Sequence, residues 1–261
     1  MQFYVFRHFE ASGLVVHGFT TRTGGVSSEP YTSLNTAFHV GDELENVRAN
    51  RLNACEALDI SPGGLVAGRQ VHGQNVAIVD QQDMGKGALS YADALPDTDA
   101  LVTGTRGLPL SSYYADCVPI FLLDPVHKVV ALAHAGWKGT VLKIGQKTVN
   151  KMVQDFGTDP ANCMAGIGPS IGPCCYEVDD RVIGPLRQEF HGSPDFYEVS
   201  LPGRWRLNLW EANRWTLLEA GLLPGNIETA AICTCCHPEA FFSYRAQNGT
   251  TGRMAALLML K

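Results

Sequence analysis

The chain has 261 residues, 45% of them hydrophobic, and a formal net charge of −6. This apolar content is sufficient for a substantial core, and the lack of a Lys/Arg-rich run argues against a nucleic-acid polymer as partner. No stretch approaches the roughly 18 apolar residues of a membrane span, and the first residues lack the pattern of a signal peptide. We therefore expect a cytoplasmic protein that binds neither membranes nor nucleic acid.

The first part of the sequence alternates apolar strand candidates with glycine-rich or polar turns. Strands are predicted over residues 14–19, 76–78, 97–103 and 108–114. A helix is predicted from Gly41 to about Leu58, and residues 81–90 are predicted to form a flexible loop.

The predicted helix has one apolar face. Its apolar residues fall broadly on a single stripe, and Arg48 and Arg51 lie outside it. The stripe consists of Leu44, Val47, Leu52, Cys55 and Leu58.

The central segment consists of two apolar, β-rich runs, residues 118–123 and 129–133, joined by a turn at Asp124-Pro125. If they form a hairpin, Cys117 before the first run and His134 after the second lie near the same open end. A thiol beside an imidazole at a sheet rim is either a metal site or a nucleophile–base pair.

The remaining elements begin with a helix predicted over residues 138–156, with an apolar stripe at helical spacing. Its N-terminus would point toward Cys117 and His134 and favour an anion there. After it we predict strand, close-approach loop and strand over 163–178, helix 179–190, loop 191–203, strand 205–208, helix 209–220, and strands 227–233 and 254–260.

The predicted order of elements does not alternate strictly between strand and helix, which disfavours a doubly wound sheet or an eightfold barrel. We expect an α/β fold of the α+β type, with two packed mixed β-sheets flanked by helices. The whole chain, residues 1–261, is predicted to be a single domain because no linker or repeat is visible.

Other polar groups widen the choice of sites. His72 is a third metal-ligand candidate, since a site of two histidines and one cysteine leaves a fourth position open on Zn²⁺. Four arginines lie next to polar turns, and any of them could bind a phosphate or carboxylate group. They are Arg22, Arg48, Arg245 and Arg253.

Most of the eight cysteines are predicted to be reduced core thiols, because a secreted disulfide framework suits smaller, loop-rich chains. The segment Cys233-Thr-Cys-Cys236, followed by His237, has C-x-x-C spacing and is a competing metal candidate. A four-cysteine site needs a second pair, and Cys174-Cys175 lacks that spacing. Inert thiols are the main interpretation.

Several motifs resemble, in family order, the YfiH/YlmD-type laccase-domain family, formerly called multicopper polyphenol oxidoreductases and now viewed as purine nucleoside phosphorylases. The matching segments run through nearly the whole chain. They are residues 18–27, 33–35, 70–73, 97–103, 115–120, 133–140 (Ala-His-Ala-Gly-Trp-Lys-Gly-Thr), 166–172 and 233–234.

The resemblance implies an α/β/β/α layered fold and a Zn²⁺ site formed by His72, Cys117 and His134. It also implies that Asn35 and Arg48 belong to the substrate site. The implied activity is phosphorolysis of adenosine, inosine, guanosine and S-methyl-5′-thioadenosine, with adenosine deamination at the same site. The implied partners are a purine nucleoside and phosphate.

Our hypothesis for the chemistry is one zinc site that acts on purine nucleosides. We expect phosphate near Arg48 and Lys138, and Asp116 as a candidate for proton transfer, with a turn or capping role as its alternative. We expect a monomer or weak homo-oligomer.

Three other functions stay open at this point. Copper-dependent phenol oxidation, with Cu²⁺ in the site, lacks the paired H-x-H motifs of a multicopper cluster. An amidase-like hydrolase with Cys117 as nucleophile and His134 as base would edit cytoplasmic muropeptide precursors. A non-catalytic nucleoside-binding protein is the third.

Overall fold

The computed structural model describes residues 1–191 and 196–261. Its strands, in chain order, are β1 Phe3–Tyr4, β2 Val15–Thr20, β3 Val66–Ala67, β4 Val76–Ile78, β5 Ala100–Thr103, β6 Leu110–Tyr114, β7 Val118–Asp124, β8 Val129–Ala135, β9 Met164–Ile167, β10 Glu177–Val178, β11 Tyr197–Leu201, β12 Arg204–Leu207, β13 Ile227–Thr229 and β14 Met254–Leu260. Its α-helices are α1 Arg7–Ser12, α2 Leu44–Glu56, α3 Trp137–Val141, α4 Ile144–Phe156, α5 Asp180–Glu189 and α6 Leu209–Glu219.

Two mixed sheets face each other across one apolar core. The five-stranded sheet has the order β1-β2-β14-β6-β3, and the six-stranded sheet has the order β13-β9-β7-β8-β5-β4. Phe19, Tyr114 and Leu258 from the first sheet pack with Phe121 and Leu132 from the second. The prediction of two packed mixed sheets is confirmed.

Helices cover the outer face of each sheet. On the five-stranded sheet, Cys55 of α2 packs against Leu257 of β14, whose neighbour Leu258 faces the other way because side chains alternate along a strand. On the six-stranded sheet, Met152 of α4 and Leu217 of α6 join the second large core. The predicted α/β/β/α order of layers is therefore confirmed.

A third sheet, with the order β10-β12-β11, was not predicted. Its strand β11 occupies residues that were predicted as loop, and that part of the prediction is wrong; residues 192–195 of the predicted loop lie outside the described residues. Val199 and Leu201 of β11 are 73% and 59% exposed, so the strand has no buried apolar face that would reveal it.

Helix α2 is confirmed, and its predicted buried face is confirmed only in part, since Val47 and Cys55 are fully buried. Leu44 and Leu52 are 53% and 41% exposed, whereas Arg51 is buried. The Arg51 guanidinium lies over the rings of Phe38 and Tyr113 and donates hydrogen bonds to three backbone carbonyls. A periodic apolar pattern gives no sign that an arginine will be solvated by the protein itself.

The single long helix predicted over residues 138–156 is two helices, α3 and α4. Lys143 separates them in a left-handed conformation, with φ of 54°. The apolar spacing continues across this break, so the sequence pattern does not show it. The helix beside His134 therefore has five residues, and its macrodipole is much smaller than that of the long helix we expected.

The other predicted elements are present with shifted ends, and β13 is shorter than the predicted strand 227–233. The short elements β1, α1 and β3 were missed because two-residue strands and a six-residue helix carry almost no periodic signal. Among the described residues, no helix is both long and apolar enough to cross a membrane.

Candidate metal centre

The antiparallel hairpin β7–β8 places a thiol and an imidazole together. In its register Pro119 pairs with His134, so Cys117, two residues before Pro119, lies at the same end of the hairpin. His72 reaches this end from the loop between β3 and β4, where its backbone is left-handed, with φ of 60°. The ligand atoms of His72, Cys117 and His134 all lie within 4.8 Å of one another.

One buried carboxylate orients both histidines. Asp99 Oδ1 accepts a hydrogen bond from His134 Nδ1 at 2.8 Å and from the backbone N–H of His72 at 3.0 Å. Its Oδ2 accepts from the backbone N–H groups of Val71 and Gly73 at 3.1 and 2.8 Å. With Nδ1 of His134 engaged, Nε2 is the nitrogen left for a metal, the usual arrangement of a ligating histidine.

Sequence reasoning did not select Asp99, although it lies inside the motif over residues 97–103. The available signal was an aspartate directly before a fully buried strand, β5, where an unpartnered carboxylate would be costly.

In this cluster each charged group stabilises the charged form of its neighbours. Burial raises the pKa of the Cys117 thiol, but the charges and hydrogen bonds of His134 and His72 outweigh it and lower the pKa overall. Burial lowers the pKa of His134, whereas Cys117 and Asp99 raise it above its ordinary value. For Asp99, burial is again outweighed, here by His134 and the backbone N–H groups, so its pKa is lowered. The thiolate form required of a metal ligand is therefore favoured.

Gly136 packs its backbone against the ligand set. A Cβ at this position would lie 2.8 Å from His72 Cδ2 and 2.9 Å from Cys117 Sγ, closer than real contacts allow. Two imidazoles and a thiolate suit Zn²⁺ and related ions, and three protein ligands leave one position open. The residues present therefore fit a metal ion with a free position.

That free position would face a cavity of about 540 Å³, a volume typical of small-molecule sites. The three candidate ligands lie in its wall. Aromatic side chains provide much of the remaining wall, and they are Tyr113, Trp137, Tyr176 and Tyr244. Flat apolar walls next to a polar cluster favour a planar, partly polar ligand.

Two arginines, Arg245 and Arg253, bring positive charge to the cavity. Nη1 of each guanidinium donates to two backbone carbonyls at distances between 2.7 and 3.1 Å. Each is thereby fixed through one nitrogen, which leaves Nη2 and Nε available for an anion.

Asp116 and Asn35 lie close to these arginines. Asp116 lines the cavity, and its carboxylate accepts from Thr234 Oγ1 at 2.7 Å, Ser243 Oγ at 3.1 Å and the backbone N–H of Arg245 at 2.7 Å. Asn35 is fully buried behind the wall, and its Oδ1 accepts from the backbone N–H of Arg253 at 2.9 Å.

The structure does not bring Arg48 or Lys138 into this wall. Arg48 is on the surface of α2, paired with Glu45 and hydrogen-bonded to the carbonyl of Leu89. Lys138 has its Nζ 5.6 Å from the centre of the Trp137 ring. Within the described parts of the chain, the cavity wall contains two arginines, Arg245 and Arg253, and no lysine.

Comparison with known proteins finds similar sequences over nearly the whole chain. The family model described as "Multi-copper polyphenol oxidoreductase laccase" matches residues 16–261. The chain is 39% identical to "Purine nucleoside phosphorylase YlmD" of Bacillus subtilis, over 95% of this chain and 89% of the relative. It is 42% identical to the protein of the same name from Geobacillus stearothermophilus, over 93% of this chain and 89% of the relative.

Solved structures show the same fold. The crystal structure of YlmD from Geobacillus stearothermophilus matches with a TM-score of 0.93 and 41% identity, over 95% of this chain and 92% of that one. The crystal structure of the Bacillus licheniformis hypothetical protein YfiH matches with a TM-score of 0.91 and 40% identity, over 95% and 93%.

Proposed function

We propose that this chain, which belongs to the multi-copper polyphenol oxidoreductase laccase family, is a purine nucleoside phosphorylase that acts as one catalytic domain over residues 1–261. One observation carries the proposal: a single cavity holds the His72/Cys117/His134 set together with the two anchored guanidiniums. The printed names of the relatives support the same activity. The proposed substrates are adenosine, inosine, guanosine and S-methyl-5′-thioadenosine, and adenosine deamination is proposed at the same site.

We propose Zn²⁺ as the ion held by His72, Cys117 and His134. When bound, it supplies Lewis-acid chemistry at its open position, by polarising a substrate atom or lowering the pKa of a water molecule. Asp99 keeps His134 in the tautomer that can bind it. Cu²⁺ is compatible with the same donors.

For phosphorolysis, the protein has to hold phosphate beside the sugar. A phosphate oxygen bonds to C1′ while the bond from C1′ to the purine nitrogen breaks, and the purine leaves with the electron pair. Arg245 and Arg253 are the proposed phosphate ligands because each presents free guanidinium nitrogens. Asn35 would then act through the backbone of Arg253, and the roles predicted for Arg48 and Lys138 stay predictions.

The base would lie against the aromatic wall. Tyr113, Trp137 and Tyr176 offer flat surfaces on which a purine can stack while its polar edge faces the metal ligands. Proton transfer by Asp116 stays a prediction. Its three hydrogen bonds also fit the alternative role, in which it holds the segment that carries Arg245.

A nucleoside and inorganic phosphate are the proposed partners, in the cytoplasm and with a monomer or weak homo-oligomer as the working form. The decisive assay incubates the purified protein with adenosine, with and without phosphate, and separates adenine from inosine by chromatography. Adenine that forms only with phosphate supports phosphorolysis, and inosine supports deamination.

Variants connect the assay to the site. Cys117→Ala and His134→Ala are expected to lose release of adenine, because each removes a metal ligand. Cys163→Ala, which removes a buried thiol at the end of the sheet opposite Cys117, is expected to keep it. Full activity of both ligand variants would refute the proposal.

A thiol-dependent hydrolase is a second candidate, favoured by the lowered pKa of Cys117 and the raised pKa of His134. In that case Cys117 is the nucleophile and amides such as muropeptides are the substrates. Loss of activity on chelation supports the metal mechanism, whereas resistance to chelator with sensitivity to iodoacetamide supports the thiol mechanism.

A further inference from the structure

A second cluster of metal-binding side chains lies outside the cavity. Cys174 and Cys175 follow β9, and Cys233 and Cys236 follow β13. Their four sulfur atoms all lie within 4.8 Å of one another. Neither the pair Cys174 and Cys175 nor the pair Cys233 and Cys236 provides enough ligands for a metal site alone. The fold brings the two pairs together.

The topology explains the convergence. β9 and β13 are parallel neighbours in the six-stranded sheet, so the chain leaves both strands at the same edge. A further backbone bridge between Ser170 and Cys233 keeps the two outgoing segments side by side. The two cysteine pairs, more than fifty residues apart in sequence, therefore meet on a rigid frame.

The spacing of the sulfurs fits metal ligands better than a disulfide. Cys236 Sγ is 3.3 Å from Cys175 Sγ and 3.5 Å from Cys174 Sγ. A tetrahedral zinc ion with bonds of about 2.3 Å spaces its sulfur ligands by about 3.8 Å. A disulfide requires about 2.05 Å.

Backbone donors also point at this cluster. The N–H of Gly172 donates to Cys233 Sγ at 3.2 Å, and the backbone of Cys236 makes a second hydrogen bond to the same sulfur. Such donors stabilise thiolate charge and orient a ligand. Cys233 and Cys236 also have the C-x-x-C spacing found in structural zinc sites.

The remaining thiols differ from these four. Cys235, between two members of the cluster, makes a hydrogen bond to Cys175 and packs against the apolar core, but its sulfur is not one of the four that converge. Cys55 and Cys163 are buried in core positions. Within the described residues, the cysteines thus divide into one cavity ligand, three packing residues and one group of four.

We propose that Cys174, Cys175, Cys233 and Cys236 form a second metal site, a closed tetrathiolate that holds Zn²⁺. Each sulfur forms a bond to the ion as its S–H bond breaks and the proton passes to solvent, with no change of oxidation state. Four protein ligands leave no open position, which is the property of a structural site. Cys174 and Cys236 are exposed, so the ion can enter from solvent.

Such an ion would fix one wall of the cavity. Tyr176 follows the first cysteine pair directly, and the carbonyl of Cys175 accepts a hydrogen bond from Arg245 Nη1 at 3.0 Å. The site would hold this wall in place without touching a substrate. The inference is independent of the proposed function, because it depends on different residues.

The test measures zinc bound per chain by elemental mass spectrometry after the full-length protein is reconstituted with Zn²⁺ and freed of excess metal. The double variant Cys174→Ser/Cys236→Ser is expected to bind about one ion fewer than the wild type. Both positions are exposed, so this variant is expected to fold. The matched control, Cys235→Ser, changes the same loop and is expected to bind as much zinc as the wild type.

A spectroscopic measurement separates the two sites. With Co²⁺ in place of Zn²⁺, the Cys117→Ala variant is expected to keep the intense sulfur-to-metal absorption of the four-thiolate site, whereas the double variant is expected to keep only the weaker absorption of the single Cys117 thiolate. Equal zinc content in the double variant and the wild type would refute the proposal. A disulfide among these four cysteines would also refute the proposal. Mass spectrometry of the denatured, unreduced protein would show it as a mass lower by two hydrogen atoms.

Discussion

The two candidate metal sites lie at edges of the same six-stranded sheet but are built differently. The His72/Cys117/His134 set is fixed by strands, by Asp99 and by the backbone of Gly136, and it opens into a cavity. The four-cysteine cluster lies on turns after β9 and β13, with Cys174 and Cys236 exposed and Cys233 buried. The comparison teaches that paired strands hold both sets of ligands together, and that the number of protein ligands decides whether a bound ion would keep a free position.

The largest effect that would sharpen this contrast is expected from Gly136→Ala. The new Cβ would displace the His72 ring or the Cys117 thiol by several tenths of an ångström or more. Because misplacement of about 1 Å costs roughly 100-fold in rate, we expect this smaller displacement to lower the rate of phosphorolysis by up to about 100-fold. Steady-state kinetics measure the loss of activity, and elemental analysis measures the zinc content. Zinc at the four-cysteine cluster should stay bound.

The control for this variant is Gly184→Ala in helix α5, where an added Cβ meets no atom within 4 Å. We expect unchanged activity and no gain in the free energy of unfolding, because Gly184 precedes Pro185 and the proline ring disfavours the helical conformation of an alanine before it. Equal activity of Gly136→Ala and Gly184→Ala would contradict the proposed geometry.

The next largest effect is expected from Asp99→Asn. The amide nitrogen cannot accept, so at least one pair of the hydrogen bonds made by this carboxylate is lost, and His134 is no longer held in one tautomer. We expect zinc affinity at the cavity site to fall roughly 10- to 100-fold. Competition with a chelator measures it, and an unchanged affinity would show that Asp99 has no orienting role.

A smaller effect is expected from Arg253→Met. Loss of one guanidinium from the phosphate site should raise KM for phosphate about 10-fold, since charge-assisted hydrogen bonds contribute roughly 1.5–3 kcal/mol each. Arg48→Met serves as the control because Arg48 lies outside the cavity wall. If Arg48→Met raised KM for phosphate and Arg253→Met did not, the phosphate site would be placed wrongly.

The smallest effect is a difference in thiol titration in metal-free protein. The pKa of Cys117 is lowered. Its reactive thiolate therefore persists to lower pH than that of an ordinary cysteine and is lost only as the pH falls through this lowered pKa. Burial raises the pKa of Cys55 and Cys163 to about 12, so both stay protonated near neutral pH. At pH 7, alkylation by iodoacetamide, followed by peptide mass spectrometry, should therefore modify Cys117 before Cys55 and Cys163.

Zinc should protect Cys117 in that experiment, because a coordinated thiolate is not free to attack. Equal rates for Cys117 in the metal-free and zinc-loaded proteins would show that the thiol does not bind the ion.

Much of the fold was predictable because its central strands are fully buried runs of apolar residues. β7, β8 and β14 have that pattern, and the predicted hairpin placed Cys117 and His134 together. Exposed strands such as β11 lack it. The break at Lys143 was hidden because apolar spacing reports on burial and does not report on a single left-handed residue.

The candidate site was predictable only in part. Its candidate metal ligands lie in sequence motifs, whereas Asp99, Tyr176 and the four-cysteine cluster depend on which distant segments the fold brings together. Cys174-Cys175 looks unsuitable for a metal when it is considered with its sequence neighbours alone. Its partners become visible only through the parallel pairing of β9 with β13.

Strand β14 has a consequence for how the molecule assembles. It lies between β2 and β6, and its Ala255 bonds to Thr20 across 235 residues of sequence. Contacts of such high contact order form slowly, so we expect folding on a millisecond-to-second timescale or longer. Residues 72–134 can gather the three cavity ligands before β14 is in place, whereas Arg253, directly before β14, arrives with that strand. Under the proposed function, a nascent chain would therefore bind the metal ion before it can bind phosphate.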